Sequence, residues 1–489
     1  MNNPAFNVYE LLHVLPELTI LLGAMLLLML GAFAKAGRAV KWVGGFSVMI
    51  LATSLWLIML GFISEPKEIF HGMLIVDQFS QVAKLILLVG AVMVLGLSNS
   101  WLRKHPSGAF EYPILVLLAL AGMMVMVSAN DLLTMYMGLE LSALSLYVLA
   151  AFDRDNARSS EAGLKYFVLG ALASGMMLFG ASLVYGYTGS TNFSVIANLY
   201  ADSEDMAVAV PYGAIIGMVL LTVGFGFKIS AVPFHMWTPD VYEGSPTPVT
   251  MLFATAPKLA AMVVFIRILF VPFESMFPDW QNILAIMANA SMLIGALGAM
   301  LQTNIKRLLA YGSIGHIGYV LVGVAAGTEQ GIQAVLMYLV LYLFMSVGTF
   351  GFIMHMRRHG KYVEQISDLA GLSKTCPMAA AFMLVMMFSM AGIPPLAGFY
   401  GKMFVFLSAV EAGLIITTVI GLLTSVIAAY YYLKVVKVMY FDAPGEPLDR
   451  DVSLASQAIL GLCAVVTVGF FLLPSPLLWA VGYATEAIF

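Results

Sequence analysis

An all-α membrane protein of about 14 transmembrane helices, with two inverted five-helix repeats that each contain a proline-broken helix, is the fold this sequence predicts. Three observations predict it. Of 489 residues, 61% are hydrophobic and 10% charged, against about 25% charged in a soluble domain; no globular core hides that much apolar surface, so lipid is the solvent. Apolar stretches recur along the whole chain at the length of about 20 residues that a bilayer crossing needs. The lysines and arginines alternate between successive loops as the positive-inside rule demands.

In chain order the spans fall near 16–34, 42–63, 77–100, 112–128, 130–151, 161–188, 210–242, 247–271, 281–302, 305–326, 331–357, 378–412, 414–441 and 453–473. The residues before the first span are acidic and no small-residue cleavage pattern follows it, so it reads as a retained helix and not a signal peptide. Spans 210–242 and 378–412 are too long for one straight crossing, and both hold proline in the middle.

The charges test this map. With the N-terminus outside, the inside loops collect Lys35, Arg38, Lys41, Arg103, Lys104, Arg154, Arg158, Lys306, Arg307, Arg357, Arg358, Lys361, Lys374, Lys437 and Arg450. The outside loops hold only Lys67, among Glu65, Glu68, Asp202, Glu204, Asp205, Glu274, Asp279 and Glu329. A wrong count of helices would scramble that asymmetry, so both termini are expected on the outer face. Seven basic residues remain within spans. Lys84, Arg267 and Lys434 lie within about two turns of a span end and are expected to snorkel. Lys165, early in its helix, reaches toward the inner interface. Lys228, Lys258 and Lys402 have no such exit.

Five spans over 112–271 are followed by five over 281–441 in the same rhythm: two helices, a third, a long proline-broken fourth, and a fifth. Five is odd, so the second unit enters from the opposite side, which makes an inverted repeat of the transporter type. Residues 1–111 form a three-helix segment ahead of it, and 442–489 a final helix and tail. Pro233 in one long span, and Pro394 with Pro395 in the other, remove backbone donors and free carbonyls where lipid offers no partner. Such backbone lies against protein or a water-filled cavity. An isolated kink reads as packing; two, each with a lysine within two turns, point to function.

Glu140 lies midway along its span, where an ionisable group costs roughly 2.5–3.5 kcal/mol. A carboxylate and a lysine brought together there stabilise each other's charged forms, and a lysine whose partner moves away releases its proton. His235, just beyond Pro233, and His316 are candidate relays through their two ring nitrogens. The plainer reading of either alone is a neutral histidine satisfied by hydroxyls such as Ser313 or Tyr311. Together with Glu140, Lys228, Lys258 and Lys402 they form a line, and the line favours proton conduction.

Several classes are excluded. A net charge of −4 gives no support to a nucleic-acid partner. Two distant cysteines, Cys376 and Cys463, cannot supply an iron–sulfur ligand set or a cysteine-built zinc site. No glycine-rich phosphate loop is present, so ATP does not drive the chain directly. Seven histidines, mostly near loops, offer no facing pair for haem.

Three segments carry a family resemblance. Gly224–Val249 (GFGFKISAVPFHMWTPDVYEGSPTPV), Asn304–Tyr319 (NIKRLLAYGSIGHIGY) and Gly392–Phe399 (GIPPLAGF) resemble the signatures of the antiporter-like membrane subunits of respiratory complex I, a family shared with multisubunit sodium/proton antiporters and membrane-bound hydrogenases. The resemblance covers nearly the whole chain. Within the family the chain is most similar to the subunit N group of bacterial NADH:quinone oxidoreductases: it lacks the long lateral helix of subunit L and carries Lys402 where subunit M-like chains have a glutamate. The resemblance implies that Glu140 and Lys228 are a coupled pair, Lys258 a central relay and Lys402 an exit-side group, with His316, Lys165 and His235 completing the path. It implies a bacterial inner-membrane location and no cofactor in this chain. Flavin and iron–sulfur clusters would sit in partner subunits, and neighbouring antiporter-like subunits would flank it. A cation/proton antiporter subunit is the competing reading.

Overall fold

The computed structural model describes residues 8–63, 65–105, 109–201, 210–449 and 452–489. Asp202, Glu204, Asp205 and Arg450 lie outside them. Among the described residues, eleven helices are long and apolar enough to cross a membrane, and three shorter apolar helices, Glu111–Val127, Pro377–Ala391 and Leu454–Gly469, accompany them. Each range read from hydropathy contains a helix.

The order is α1 (Leu15–Phe33), α2 (Ala36–Leu60), α3 (Gln78–Leu102), α4 (Glu111–Val127), α5 (Leu132–Ala150) and α6 (Ala157–Thr188), then a short α7 (Phe193–Ala201). The first long span is broken into α8 (Tyr212–Ile229) and α9 (Trp237–Gly244), followed by α10 (Thr247–Phe253) and α11 (Ala256–Phe270). Then come α12 (Phe277–Met300), α13 (Ile305–Ala325), α14 (Glu329–Ile353), the one-turn α15 (Leu372–Thr375), the second broken pair α16 (Pro377–Ala391) and α17 (Ala397–Glu411), α18 (Ile415–Phe441), α19 (Leu454–Gly469) and α20 (Ser475–Thr485). Two short antiparallel hairpins, Lys67–Ile69 with Leu74–Val76 and Arg357–Arg358 with Lys361–Tyr362, lie in loops.

The helices α10, α11, α13 and α14 form the centre and are almost wholly buried, whereas α1, α2, α6 and α18 present large apolar faces outward. Glycine sets the closest approaches. A Cβ on Gly138 of α5 would stand 2.7 Å from the Met126 backbone nitrogen of α4, and one on Gly122 of α4 would stand 2.5 Å from the Ser142 nitrogen of α5. Backbone therefore packs on backbone, as small residues permit in membranes.

The basic loops meet at one end of the bundle. There Ile305 N donates to Glu364 O (2.9 Å), Asp449 N to Arg357 O (2.8 Å), and Arg358 pairs with Asp368 (3.2 Å). The opposite end gathers acidic and polar loops: Phe70 N donates to Glu10 (2.7 Å) and Asn130 Nδ2 to Glu68 (3.1 Å). The C-terminal segment read as a tail is helical: α20 packs on α3 and α14.

Both proline-bearing spans are broken as expected, and local donors take up carbonyls at each break. After α8, Ser230 takes a left-handed φ of 66°, Ala231 N donates to Gly226 O (2.8 Å), and Trp237 Nε1 donates to Phe227 O (3.0 Å). After α16, Gly392 takes φ 86°, a conformation glycine adopts without Cβ strain. Its N–H and that of Ile393 both donate to Phe388 O. A third break was not expected. The span read as continuous over 247–271 is interrupted at Ala254–Thr255 between α10 and α11, with Pro257 in the first turn that follows, a position where the missing N–H costs nothing.

Candidate proton-conducting site

The row of lysines lies on the helix breaks. Lys228 occupies the last turn of α8, just before its break, and is half-buried. Lys258 occupies the first turn of α11, just after the unexpected break, and is 2% exposed. Lys402 lies on α17, 5% exposed, and reaches back to the second proline break, where Nζ donates to the freed Ala391 carbonyl (2.9 Å) and to Ser425 Oγ of α18 (3.0 Å). A lysine thus caps the broken helix from the side, supplying the donor that proline removed.

Each of the three ammonium groups sits over a tyrosine ring: Lys228 over Tyr147 at 5.4 Å, Lys258 over Tyr242 at 5.2 Å, and Lys402 over Tyr319 at 4.9 Å. Attraction to the ring face offsets part of the desolvation of a cation without a counter-charge. Lys228 Nζ also donates to the Tyr147 hydroxyl (3.3 Å), and Lys258 Nζ to Ser313 Oγ (2.9 Å). Among the described residues no carboxylate forms an ion pair with any of the three. Glu140 is half-buried on α5, near a stripe of exposed Leu133, Met137, Leu144 and Val148; one of its oxygens is buried with no hydrogen-bond partner in the described chain. Its carboxylate is within electrostatic range of Lys228 and Tyr147, without contact. A cavity of about 20 Å³ beside Lys228, bordered by Ser142, Tyr166 and Pro257, has room for roughly one water.

His316 is within electrostatic range of the two remaining lysines. It is 4% exposed on α13, with Nδ1 2.6 Å from the Tyr338 hydroxyl of α14 and Nε2 3.1 Å from the Tyr432 hydroxyl of α18. On the same helix Ser313 lies three residues before it and Tyr319 three after, so one face of α13 presents Ser313, His316 and Tyr319 in succession. Ser313 touches Lys258 and Tyr319 underlies Lys402. One face of α13 thus carries a contact to Lys258 at Ser313 and one to Lys402 at Tyr319, with His316 between them in sequence.

Lys165 and His235 lie elsewhere. Lys165 is ion-paired with Glu161 (2.8 Å) and Asp240 (2.7 Å), and Asp240 and Glu243 both hold Arg307 (2.8 and 2.9 Å). This half-exposed cluster stands at the basic end of the bundle. His235 is half-buried in the turn of the first break, between exposed Pro233 and Met236. Beside the cluster, a cleft of about 430 Å³ is lined by Trp101, Asp153, Arg158, Glu243, Lys306 and Glu364. Lys306, 2% exposed, donates there to Ser245 O (2.7 Å) and Glu364 (3.0 Å). His105 at its wall has a lowered pKa, chiefly through burial and further through Arg357, with Asp153 opposing.

Two expectations are corrected. Lys84 and Arg267 do not snorkel. Lys84 is buried against Glu17 at 2.5 Å. Arg267, 2% exposed, grips fully buried Asp77 through two bonds of 2.7 and 2.9 Å. Position near a span end does not fix which way a helix is rotated, and both side chains turn inward to carboxylates on neighbouring elements. Among the described residues no group of three or more His, Cys, Asp or Glu is arranged to hold a metal ion.

Long apolar helices, two of them broken at proline and carrying buried lysines, define an antiporter-type membrane subunit, and comparison with known families shows the same class. The chain belongs to the family described as NADH:quinone oxidoreductase/Mrp antiporter, whose transmembrane region matches residues 129–428. It is 51% identical to NADH-quinone oxidoreductase subunit N of Parvibaculum lavamentivorans, with all of both chains covered. The same subunit of Rhodospirillum rubrum is 52% identical over 97% of this chain and 96% of that one. Among solved structures, a chain of respiratory complex I from Thermus thermophilus superposes with a TM-score of 0.80 at 34% identity, covering 96% of this chain and 99% of that one. A chain of the Mrp complex of a Dietzia species shares the fold alone, with a TM-score of 0.85 at 23% identity over 98% and 97% of the two chains.

Proposed function

We propose that this chain is a proton-translocating membrane subunit of a bacterial NADH:quinone oxidoreductase, which moves protons along the buried row when redox partners drive it. The observation that carries the reading is the α13 face, where Ser313 holds Lys258 by a hydrogen bond, Tyr319 underlies Lys402, and His316 stands between them in sequence. Relatives of about half identity along their full length bear the name of that subunit, which supports the assignment over a free-standing cation/proton antiporter.

In this reading Glu140 and Lys228 form the input pair. They interact at a distance and not as a locked ion pair, so a small movement of charge near Glu140 changes the proton affinity of Lys228. Lys258 is the central station and Lys402 the terminal one. Each lysine is held by neutral hydroxyls, carbonyls and rings, which leaves both its protonated and its neutral form tolerable. Lys165, already bound to two carboxylates at the basic end, stands off the row in surroundings that favour a structural role, whereas His235, half-buried in the turn of the first break, remains a candidate relay group. The chain has 14 crossings, eleven long helices and three shorter ones, arranged as two inverted units over 112–271 and 281–441. Convergence of the basic loops at one end supports placing that end inside and both termini on the periplasmic face. Flavin and iron–sulfur chemistry belongs to partner subunits.

The test has two arms. Purification of the tagged chain from native membranes should bring down a flavin- and iron–sulfur-containing assembly. In that assembly Glu140→Ala, Lys228→Ala and Lys258→Ala should each impair proton pumping. Normal pumping in all three would sink the relay. Cation-driven proton transport by the purified chain alone in liposomes would favour the antiporter.

A further inference from the structure

His316 differs from every other member of the row in having both of its protonation sites occupied by side-chain hydroxyls. A neutral imidazole carries one N–H and one lone pair. With Tyr338 at Nδ1 and Tyr432 at Nε2, one tyrosine must accept from the ring while the other donates to it. The two hydroxyls also belong to different ends of the row. Tyr432 lies against α13 at Gly312, where an added Cβ would stand 2.6 Å from its oxygen, one residue from the Ser313 that holds Lys258. Tyr338 packs on α17 at Gly401, where an added Cβ would stand 2.6 Å from its ring, one residue from Lys402. Each hydroxyl on the imidazole thus belongs to a tyrosine packed one residue from a different lysine contact, Tyr432 beside the residue that holds Lys258 and Tyr338 beside Lys402.

We propose that Tyr432 and Tyr338 are the proton-passing partners of His316, one delivering a proton to the imidazole and the other removing one, so that the segment carries protons singly and in one polarity per cycle. The inference rests on the row being a proton path. The step balances without any redox change. Starting with hydrogen on Nδ1, Tyr432 gives its hydroxyl proton to Nε2 and is refilled from the Lys258 side. Nδ1 releases its proton to the Tyr338 oxygen, and the proton Tyr338 already held leaves toward Lys402. One proton has crossed, every oxygen is again a hydroxyl, and the imidazole is left as the other tautomer. A second proton cannot follow in the same direction until the tautomer and both hydroxyls are reset. Lys258 and Lys402 are then separated by an element that transmits and afterwards blocks. Gly312 and Gly401 serve this arrangement by leaving the space the two tyrosines occupy.

The test uses the whole assembly in sealed vesicles, with Tyr338→Phe and Tyr432→Phe compared with Lys258→Met and Lys402→Met. Phenylalanine keeps the ring and its packing and removes only the hydroxyl. Proton pumping per NADH oxidised is the readout, with the amount of intact complex measured alongside. Each tyrosine variant should lose pumping to the same extent as Lys258→Met, at normal levels of assembled complex. A purely packing role would leave pumping intact in both. If both lysine variants abolish pumping while both tyrosine variants pump normally, the tyrosine inference is wrong and the lysine row stands. If all four pump normally, the row itself is not a proton path. Should either tyrosine variant fail to assemble, 3,5-difluorotyrosine at that position keeps the shape and makes the hydroxyl more acidic. The pH dependence of pumping should then shift toward acid, and an unmoved profile overturns the proposal.

Discussion

Replacing Asp77 by asparagine should destabilise the protein far more than its position at the edge of a span suggests. Asp77 is fully buried and does two things: it accepts the Ser80 N–H (2.8 Å) as the N-cap of α3, and it receives both terminal nitrogens of Arg267. Asparagine caps a helix about as well as aspartate, so the substitution keeps the cap and removes the ion pair. It leaves a guanidinium on α11, 2% exposed, without its counter-charge and with one of its two acceptors replaced by an amide nitrogen, the Phe79 ring lying at 5.4 Å. Removing one member of a buried pair costs about 3–5 kcal/mol, while replacing both by well-packed neutral groups is close to neutral. Equilibrium unfolding of the purified chain in mixed micelles should therefore show a loss of about 3–5 kcal/mol for Asp77→Asn. The double variant Asp77→Asn/Arg267→Met should recover most of it. A loss within about 1 kcal/mol, the range of exposed pairs, would mean that Arg267 escapes to the interface and that the buried pair is not what ties α3 to α11. A double variant as unstable as the single one would also refute the argument.

Other perturbations follow from the same geometry. Gly138→Ala forces α5 off α4, because the new methyl meets backbone at 2.7 Å; stability should fall by about 1–3 kcal/mol, read by thermal unfolding, and pumping should fall with it because Glu140 shares that helix. Gly170→Ala places a methyl 2.2 Å from the Tyr147 hydroxyl, displacing the partner of Lys228, and should reduce proton pumping with little change in assembly. Lys165→Ala, by contrast, breaks only half-exposed ion pairs and should cost no more than about 1 kcal/mol in the same unfolding assay.

Much of the fold was legible because lipid imposes simple rules. Helix positions follow from runs of apolar residues, and the breaks at Pro233 and at Pro394–Pro395 follow from donors that proline lacks. The break before Lys258 escaped because Thr255-Ala256-Pro257 looks like ordinary apolar sequence; a proline there is compatible with either a continuous or a restarted helix, and only packing decides. The buried lysines stood out because charge is rare in such stretches. Their partners did not. Tyr147, Tyr242, Tyr338 and Tyr432 are indistinguishable from packing residues until the helices are placed side by side. The Ser313–His316–Tyr319 spacing was the one available signal, three polar groups at helical spacing within an apolar span. Lys84 and Arg267 misled for the opposite reason: depth along a helix is visible in sequence, but rotation about its axis is not.

In this account protons move through Lys258, the middle lysine of the row, which like Lys228 and Lys402 is ion-paired with no carboxylate among the described residues. The most direct measurement is proton translocation per NADH oxidised by the assembled complex in sealed vesicles, with Lys258→Met against the unaltered chain at equal complex content. Loss of this chain's share of pumping, with the complex intact, is the predicted result; an unchanged proton yield would contradict the account.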